Sequence, residues 1–77
     1  MKFCDLVAEQ RKKKLMTQQE LSSMVGISKQ YICNIENGKY IPGLNAARRL
    51  IEVLDIPLEL GVQCLKESRK ENERKQN

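Results

Sequence analysis

A chain of 77 residues with 14 Lys and Arg against 10 Asp and Glu has room for one small domain and carries a formal charge of +4. Such a domain buries only about 60% of its unfolded surface, which leaves little space for an enclosed catalytic pocket, and its excess of base favours an anionic partner. It has no His, and 4% of its residues are aromatic, so it lacks the usual general base, the commonest metal ligand and the ring platform on which single strands stack.

Phe3, Leu6 and Val7 fall at i, i+3 and i+4, which predicts a first helix over residues 3–14. Thr17-Gln18-Gln19-Glu20 fits a capping box, with a hydroxyl at the N-cap and a carboxylate three residues on. Leu21, Met24 and Val25 are expected to form the apolar face of the second helix, and Gly26 to end it by taking a positive φ. Ser28 is the next N-cap candidate, opening a third helix with Ile32 and Ile35 inward, and Asn37-Gly38 closes that helix. Leu44, Ala47, Leu50, Ile51 and Leu54 give a fourth helix at 3.6 periodicity. After Asp55 two readings stand. Pro57 suits the first turn of a fifth helix that would place Leu58, Val62 and Leu65 on one face. The strict alternation of Ile56, Leu58, Leu60, Val62 and Cys64 is instead a strand pattern. A helix is favoured by Glu59, Leu60 and Gln63, although Gly61 costs about 1 kcal/mol within one. Residues 66–77 contain no apolar side chain and carry five positive and three negative charges. This basic polar tail has nothing to bury and is expected to be frayed or disordered. The folded domain is accordingly expected over residues 1–65.

Cys4, Cys33 and Cys64 form an odd, widely spaced set with no CxxC pair. Neither a disulfide framework nor a metal site is expected, and the thiols read as reduced and mostly buried in a cytoplasmic protein. Asp5 and Glu9 interrupt the N-terminus ahead of Arg11-Lys12-Lys13-Lys14, so no signal peptide is expected. No apolar run approaches the ~20 residues of a membrane span. Paired carboxylates, a Gly-rich phosphate loop and an activated Cys are all missing from the pattern, so an enzyme is not expected, nor is a cofactor.

The run from Thr17-Gln18-Gln19-Glu20-Leu21 through Val25-Gly26-Ile27-Ser28, then Ile32, Ile35 and Glu36-Asn37-Gly38-Lys39, resembles the helix-turn-helix of the phage Cro/repressor family of DNA-binding proteins. The resemblance covers about residues 5–60. It implies an all-α, five-helix repressor-like domain in which Gly26 makes the corner, Ile27 plugs it, and Leu21 and Ile32 pack between the two helices. It implies base contacts from Lys29, Gln30 and Asn34, since Lys donates to guanine and an amide can pair bidentately with adenine. It implies phosphate contacts from Thr17, Gln18, Ser28, Asn37 and Lys39, and a structural ion pair between Arg11 and Glu36. The chain departs from its relatives at Gln10, where they often carry an apolar residue, and at Leu15, where they often carry Gly. Two roles stay open on the residues alone. The Arg11–Lys14 run suits a solvated helix end as well as a phosphate clamp. Tyr31 can pack by its ring or reach a phosphate with its hydroxyl.

The leading functional expectation is a sequence-specific transcription regulator, a repressor of bacterial or phage origin, that binds double-stranded DNA as a homodimer. One recognition helix reads only a few base pairs, so specificity needs two half-sites about one helical turn apart. The alternative is the antitoxin and autorepressor of a toxin–antitoxin module, with a toxin as protein partner. A protein-interaction module without a DNA role would show no salt-dependent DNA binding. Ile56, Leu58, Leu60, Val62, Cys64 and Leu65 exceed what one small domain can bury, so the dimer is expected through residues 54–65.

Overall fold

The structure is a computed structural model that describes the backbone of residues 2–76 and the side chains of residues 2–69. Five α-helices follow one another: α1 (Phe3–Lys13), α2 (Gln18–Val25), α3 (Lys29–Glu36), α4 (Leu44–Val53) and α5 (Leu58–Gln76). There is no strand among the described residues. The fold is an all-α helix-turn-helix domain. No described helix is long and apolar enough to cross a membrane.

The starts of α2 and α3 are set by short polar side chains. Thr17 Oγ1 accepts from the Glu20 N–H at 3.0 Å, and Glu20 Oε1 accepts from the Thr17 N–H at 3.1 Å, which closes a capping box. Ser28 Oγ accepts from the Tyr31 N–H at 3.0 Å. The first helix has no side-chain cap of its own; its Phe3 N–H donates to Ser68 Oγ on α5 at 3.0 Å. That bond joins the two ends of the fold.

Three helix ends share one hydrogen-bond pattern, in which a left-handed residue lets the chain fold back on the last turn. At the end of α1, Leu15 N–H reaches Lys12 O and Met16 N–H reaches Arg11 O. After α3, the Gly38 and Lys39 N–H groups reach Ile35 O and Asn34 O. After α4, Asp55 and Ile56 N–H reach Glu52 O and Ile51 O. Gly38 adopts φ 77° without steric penalty, whereas Leu15 at φ 57° and Asp55 at φ 53° carry a Cβ in the same region. The Leu15 side chain is 89% exposed, so only the backbone holds that residue in place.

The core gathers Phe3, Leu6 and Val7 from α1, Leu21 and Val25 from α2, Ile32 and Ile35 from α3, Leu50 and Leu54 from α4, and Cys64 and Leu65 from α5. Each helix therefore contributes one stripe to a single cluster, and no stripe is stable without the others.

Three expectations change. Met24 and Leu44 were expected on buried faces and are both exposed, Leu44 at 75%. Met24 lies three residues past Leu21 but on the solvent side of α2, where Ser22 is buried in its place. The segment after Asp55 is helical, as its helix formers favoured, and the alternating pattern does not signal a strand. The inward face of that helix keeps Leu65 as expected, but not Leu58 and Val62. Gly61, Cys64 and Leu65 are buried and Ser68 half-buried, at i, i+3, i+4 and i+7, while Leu58, Leu60 and Val62 stay exposed. The reason lies at Gly61: a Cβ there would stand 2.6 Å from Ile51 Cδ1, so α5 approaches α4 at this residue and any larger side chain would have to displace Ile51. The α5 backbone continues into the polar tail as far as Gln76. The tail side chains from residue 70 onward lie outside the described residues.

Candidate nucleic-acid interface

The corner between α2 and α3 rests on three residues. Gly26 at φ 83° turns the chain, Ile27 covers the core, and Ile27 N–H returns to Ser22 O at 3.2 Å. Leu21 and Ile32 are fully buried beneath it. Arg49 on α4 adds a contact that nothing in its sequence context advertises: its Nη1 donates to Val25 O at 3.4 Å. That carbonyl belongs to the last turn of α2 and has no helical partner, so a cation there complements the negative end of the helix.

With Ile32 and Ile35 inward, α3 turns its polar face outward. Lys29 and Gln30 are exposed and Asn34 is half-buried. Gln30 Nε2 donates to Asn34 Oδ1 at 3.1 Å, an i,i+4 pair that aligns the two amides. The pair leaves Gln30 Oε1 and the Asn34 amino group open, so the face offers both an acceptor and donors. Cys33 is half-buried on the same side, where its Sγ accepts from Asn37 Nδ2 at 3.4 Å. Ser28 begins the helix and uses its hydroxyl oxygen as the cap.

Behind this face sits an ion pair. Arg11 Nε donates to Glu36 Oε2 at 2.7 Å, and Nη2 donates to Glu36 Oε1 at 3.1 Å, a forked arrangement. Arg11 Nη1 also donates to Met16 O at 2.7 Å. Only 13% of the Arg11 side chain and 7% of the Glu36 side chain are exposed. The hydrogen bond to Glu36, with the attraction of the opposite charge, holds the Arg11 guanidinium above its ordinary pKa despite desolvation. The pair thereby ties the C-terminal turn of α1 to the last residue of α3.

Apart from Ser28, the residues expected on phosphates fall into two groups. Thr17 and Gln18 open α2, where the Gln18 and Gln19 N–H groups have no partner among the described residues. Such free amides at the positive end of a helix suit an anion. The Gln18 side chain is engaged elsewhere, with Nε2 donating to Glu36 Oε1 at 3.1 Å. Asn37 and Lys39 lie past α3 and are exposed. Lys39 is held by its N–H, which donates to Asn34 O at 2.9 Å. Tyr40 follows with its ring against Tyr31, centroids 5.9 Å apart at 59°. Tyr31 thus packs by its ring, and the pair braces the loop that carries Lys39. The Arg11–Lys14 run divides: Arg11 is in the ion pair, Lys14 pairs with Asp55, Lys13 reaches Glu9 at 3.8 Å, and Lys12 is exposed. The sequence did not reveal Arg49, the ring contact of Tyr40 or the inward turn of Gln18. Each depends on a neighbour 9–24 residues away, and no local pattern encodes that.

A sharp glycine corner, a helix before it packed by one face on the core and a helix after it with a free polar face define a DNA-binding helix-turn-helix. The profile of the helix-turn-helix family matches residues 7–60, and the chain belongs to this family in its Cro/repressor form. It is 31% identical over 55 residues to the "ImmF control region 10 kDa protein" of Bacillus phage phi105, a match covering 71% of this chain and 61% of the phage protein. It is 41% identical over 49 residues to an uncharacterized HTH-type transcriptional regulator of Methanothermobacter thermautotrophicus, covering 64% of this chain and 71% of the relative. A similarly titled protein of Archaeoglobus fulgidus is 38% identical over 53 residues, covering 69% and 75%. The chain thus spans less than two thirds of the phage relative's length and somewhat more of the archaeal ones.

Proposed function

We propose that this protein is a sequence-specific, cytoplasmic transcriptional repressor that binds double-stranded DNA as a homodimer. The observation that carries this reading is the α3 face. Lys29, Gln30 and Asn34 project from a helix whose opposite side is fully buried and whose last residue is locked to α1. A rigidly held row of donors and acceptors is what a major-groove reader requires. In the proposed complex these three side chains meet base edges. Thr17, Gln18, Ser28, Asn37 and Lys39 hold phosphates on either side. The net charge of +4 adds sequence-independent attraction.

The dimer is supported by the exposed Leu58, Leu60 and Val62 on α5 and by Leu44 on α4. Leu58 and Val62 share one flank of α5, and a two-fold axis through that flank would cover them and set two α3 helices one turn of DNA apart. Charged substitutions at Leu60 and Val62 should dissociate the dimer in sedimentation and weaken specific binding. A chain that stayed monomeric on DNA would refute this part of the proposal.

Site selection from a random duplex library, followed by titration of variants, tests the reading directly. Gln30→Ala should lose about 1–3 kcal/mol on the selected site and relax one base position. Lys39→Ala should weaken selected and random duplexes alike and lower the salt slope by about one. Identical behaviour of the two variants on both duplexes would overturn the assignment.

A further inference from the structure

The Glu36 carboxylate accepts three hydrogen bonds, from Nε and Nη2 of Arg11 and from Nε2 of Gln18. A carboxylate can only accept, so the Gln18 amide has one orientation here, with its amino group toward Glu36. Gln18 is also the first residue of α2, directly after the capping Thr17. Its own N–H and that of Gln19 are the groups of this turn that lack a partner among the described residues. One residue thus has its backbone at the open helix end and its side chain in the ion pair between α1 and α3.

Turning the Gln18 amide out to a phosphate oxygen would take a donor from a carboxylate that is 7% exposed. A buried charge that loses a donor keeps its full desolvation penalty, whereas a phosphate in water finds other donors. The Gln18 and Gln19 N–H groups of the same turn have no partner among the described residues, and such helix-end amides suit an anion. Since Glu36 is also the last residue of α3, a side chain anchored there sets the α2 turn against the reading helix.

We infer that Gln18 is a positioning residue. Its side chain clips the first turn of α2 to the Arg11–Glu36 pair, and the phosphate contact at this point is made by the N–H groups of that turn. The phosphate anchor and α3 therefore move as one body. This rests on the DNA-binding reading above.

The test compares Gln18→Met, which keeps the length but not the donor, with Gln18→Lys, which restores a donor. Both are made in the full chain, melted, and titrated against a random-sequence duplex over a range of salt. Gln18→Met should lower the melting temperature by roughly 5–15 °C, from the loss of a bond to a charged group. Its duplex binding should weaken by about threefold to tenfold, because a loosened turn presents its amides less well. Gln18→Lys should recover most of the melting temperature and keep the wild-type salt slope, since Glu36 takes up its ammonium. A Gln18→Met chain that melts with the wild type would overturn the clip. So would a Gln18→Lys chain whose salt slope steepens by about one, because its charge would then be on a phosphate. Should the unaltered chain fail to bind duplex DNA, the DNA reading falls, and the melting comparison still sustains or overturns the clip by itself.

Discussion

Replacing Arg11 should come close to unfolding this protein. A 77-residue chain has a total stability of about 4–12 kcal/mol at the usual 0.05–0.15 kcal/mol per residue. Arg11 spends all three of its bonds inside the fold, two on Glu36 and one on Met16 O. Arg11→Met keeps the apolar stem and removes the charge, leaving Glu36 with Gln18 alone. Leaving one partner of a buried pair uncompensated costs about 3–5 kcal/mol. At 4–8 °C per kcal/mol for a domain of this size, the melting temperature should fall by roughly 15–30 °C. Arg11→Lys should fall between, since an ammonium cannot reproduce the fork. Because the native guanidinium titrates above its ordinary value, the pair's contribution is complete below that value and is lost only as pH rises through the native one. The deficit of Arg11→Met should therefore be the same at pH 6 and pH 9 on the arginine side. Far-ultraviolet circular dichroism melts at both pH values measure it. A variant within a few degrees of wild type would show that the pair behaves as a solvated surface contact, worth under about 1 kcal/mol, and that the locking of α1 to α3 lies elsewhere.

Leu15→Gly should raise the melting temperature by roughly 3–8 °C, because the exposed leucine at φ 57° contributes strain and no packing, while Leu15→Ala should change little. A destabilised Leu15→Gly would refute the strain at this cap. Gly61→Ala should cost about 1–3 kcal/mol through the contact with Ile51 Cδ1, and adding Ile51→Val should recover part of it; additive losses in a double-mutant cycle would speak against that contact. Burial pushes the Cys64 thiol above its ordinary pKa. It should be alkylated far more slowly than Cys33 in the native chain, with the gap closing in denaturant. Since the unfolded thiol ionises first, its contribution to stability is complete below about pH 8.5 and falls as pH rises through the native value, a loss that Cys64→Ala should remove.

The parts of the fold legible in the sequence are those governed by neighbours within four residues. The Thr17 box, the Gly26 corner, the Ser28 cap and the stop at Asn37-Gly38 each turn on a side chain and a backbone group in one turn, so residue order suffices to find them. The exposed face of α3 follows from the same arithmetic, as the complement of Ile32 and Ile35. What escaped is governed by approach between helices. Gly61 reads as a weak point in a helix until Ile51 is placed against it, and it then decides which side of α5 is buried. Once that side is fixed at Cys64, Leu65 and Ser68, the remaining apolar residues Leu58, Leu60 and Val62 have nowhere to go but outward. Gln18 follows the same logic in polar form. The family resemblance casts it as a phosphate contact, and only the position of Glu36, eighteen residues on, draws its side chain inward. In a domain this small a single long-range contact can reassign a residue from ligand to support, because every helix that reaches the ligand also walls the core.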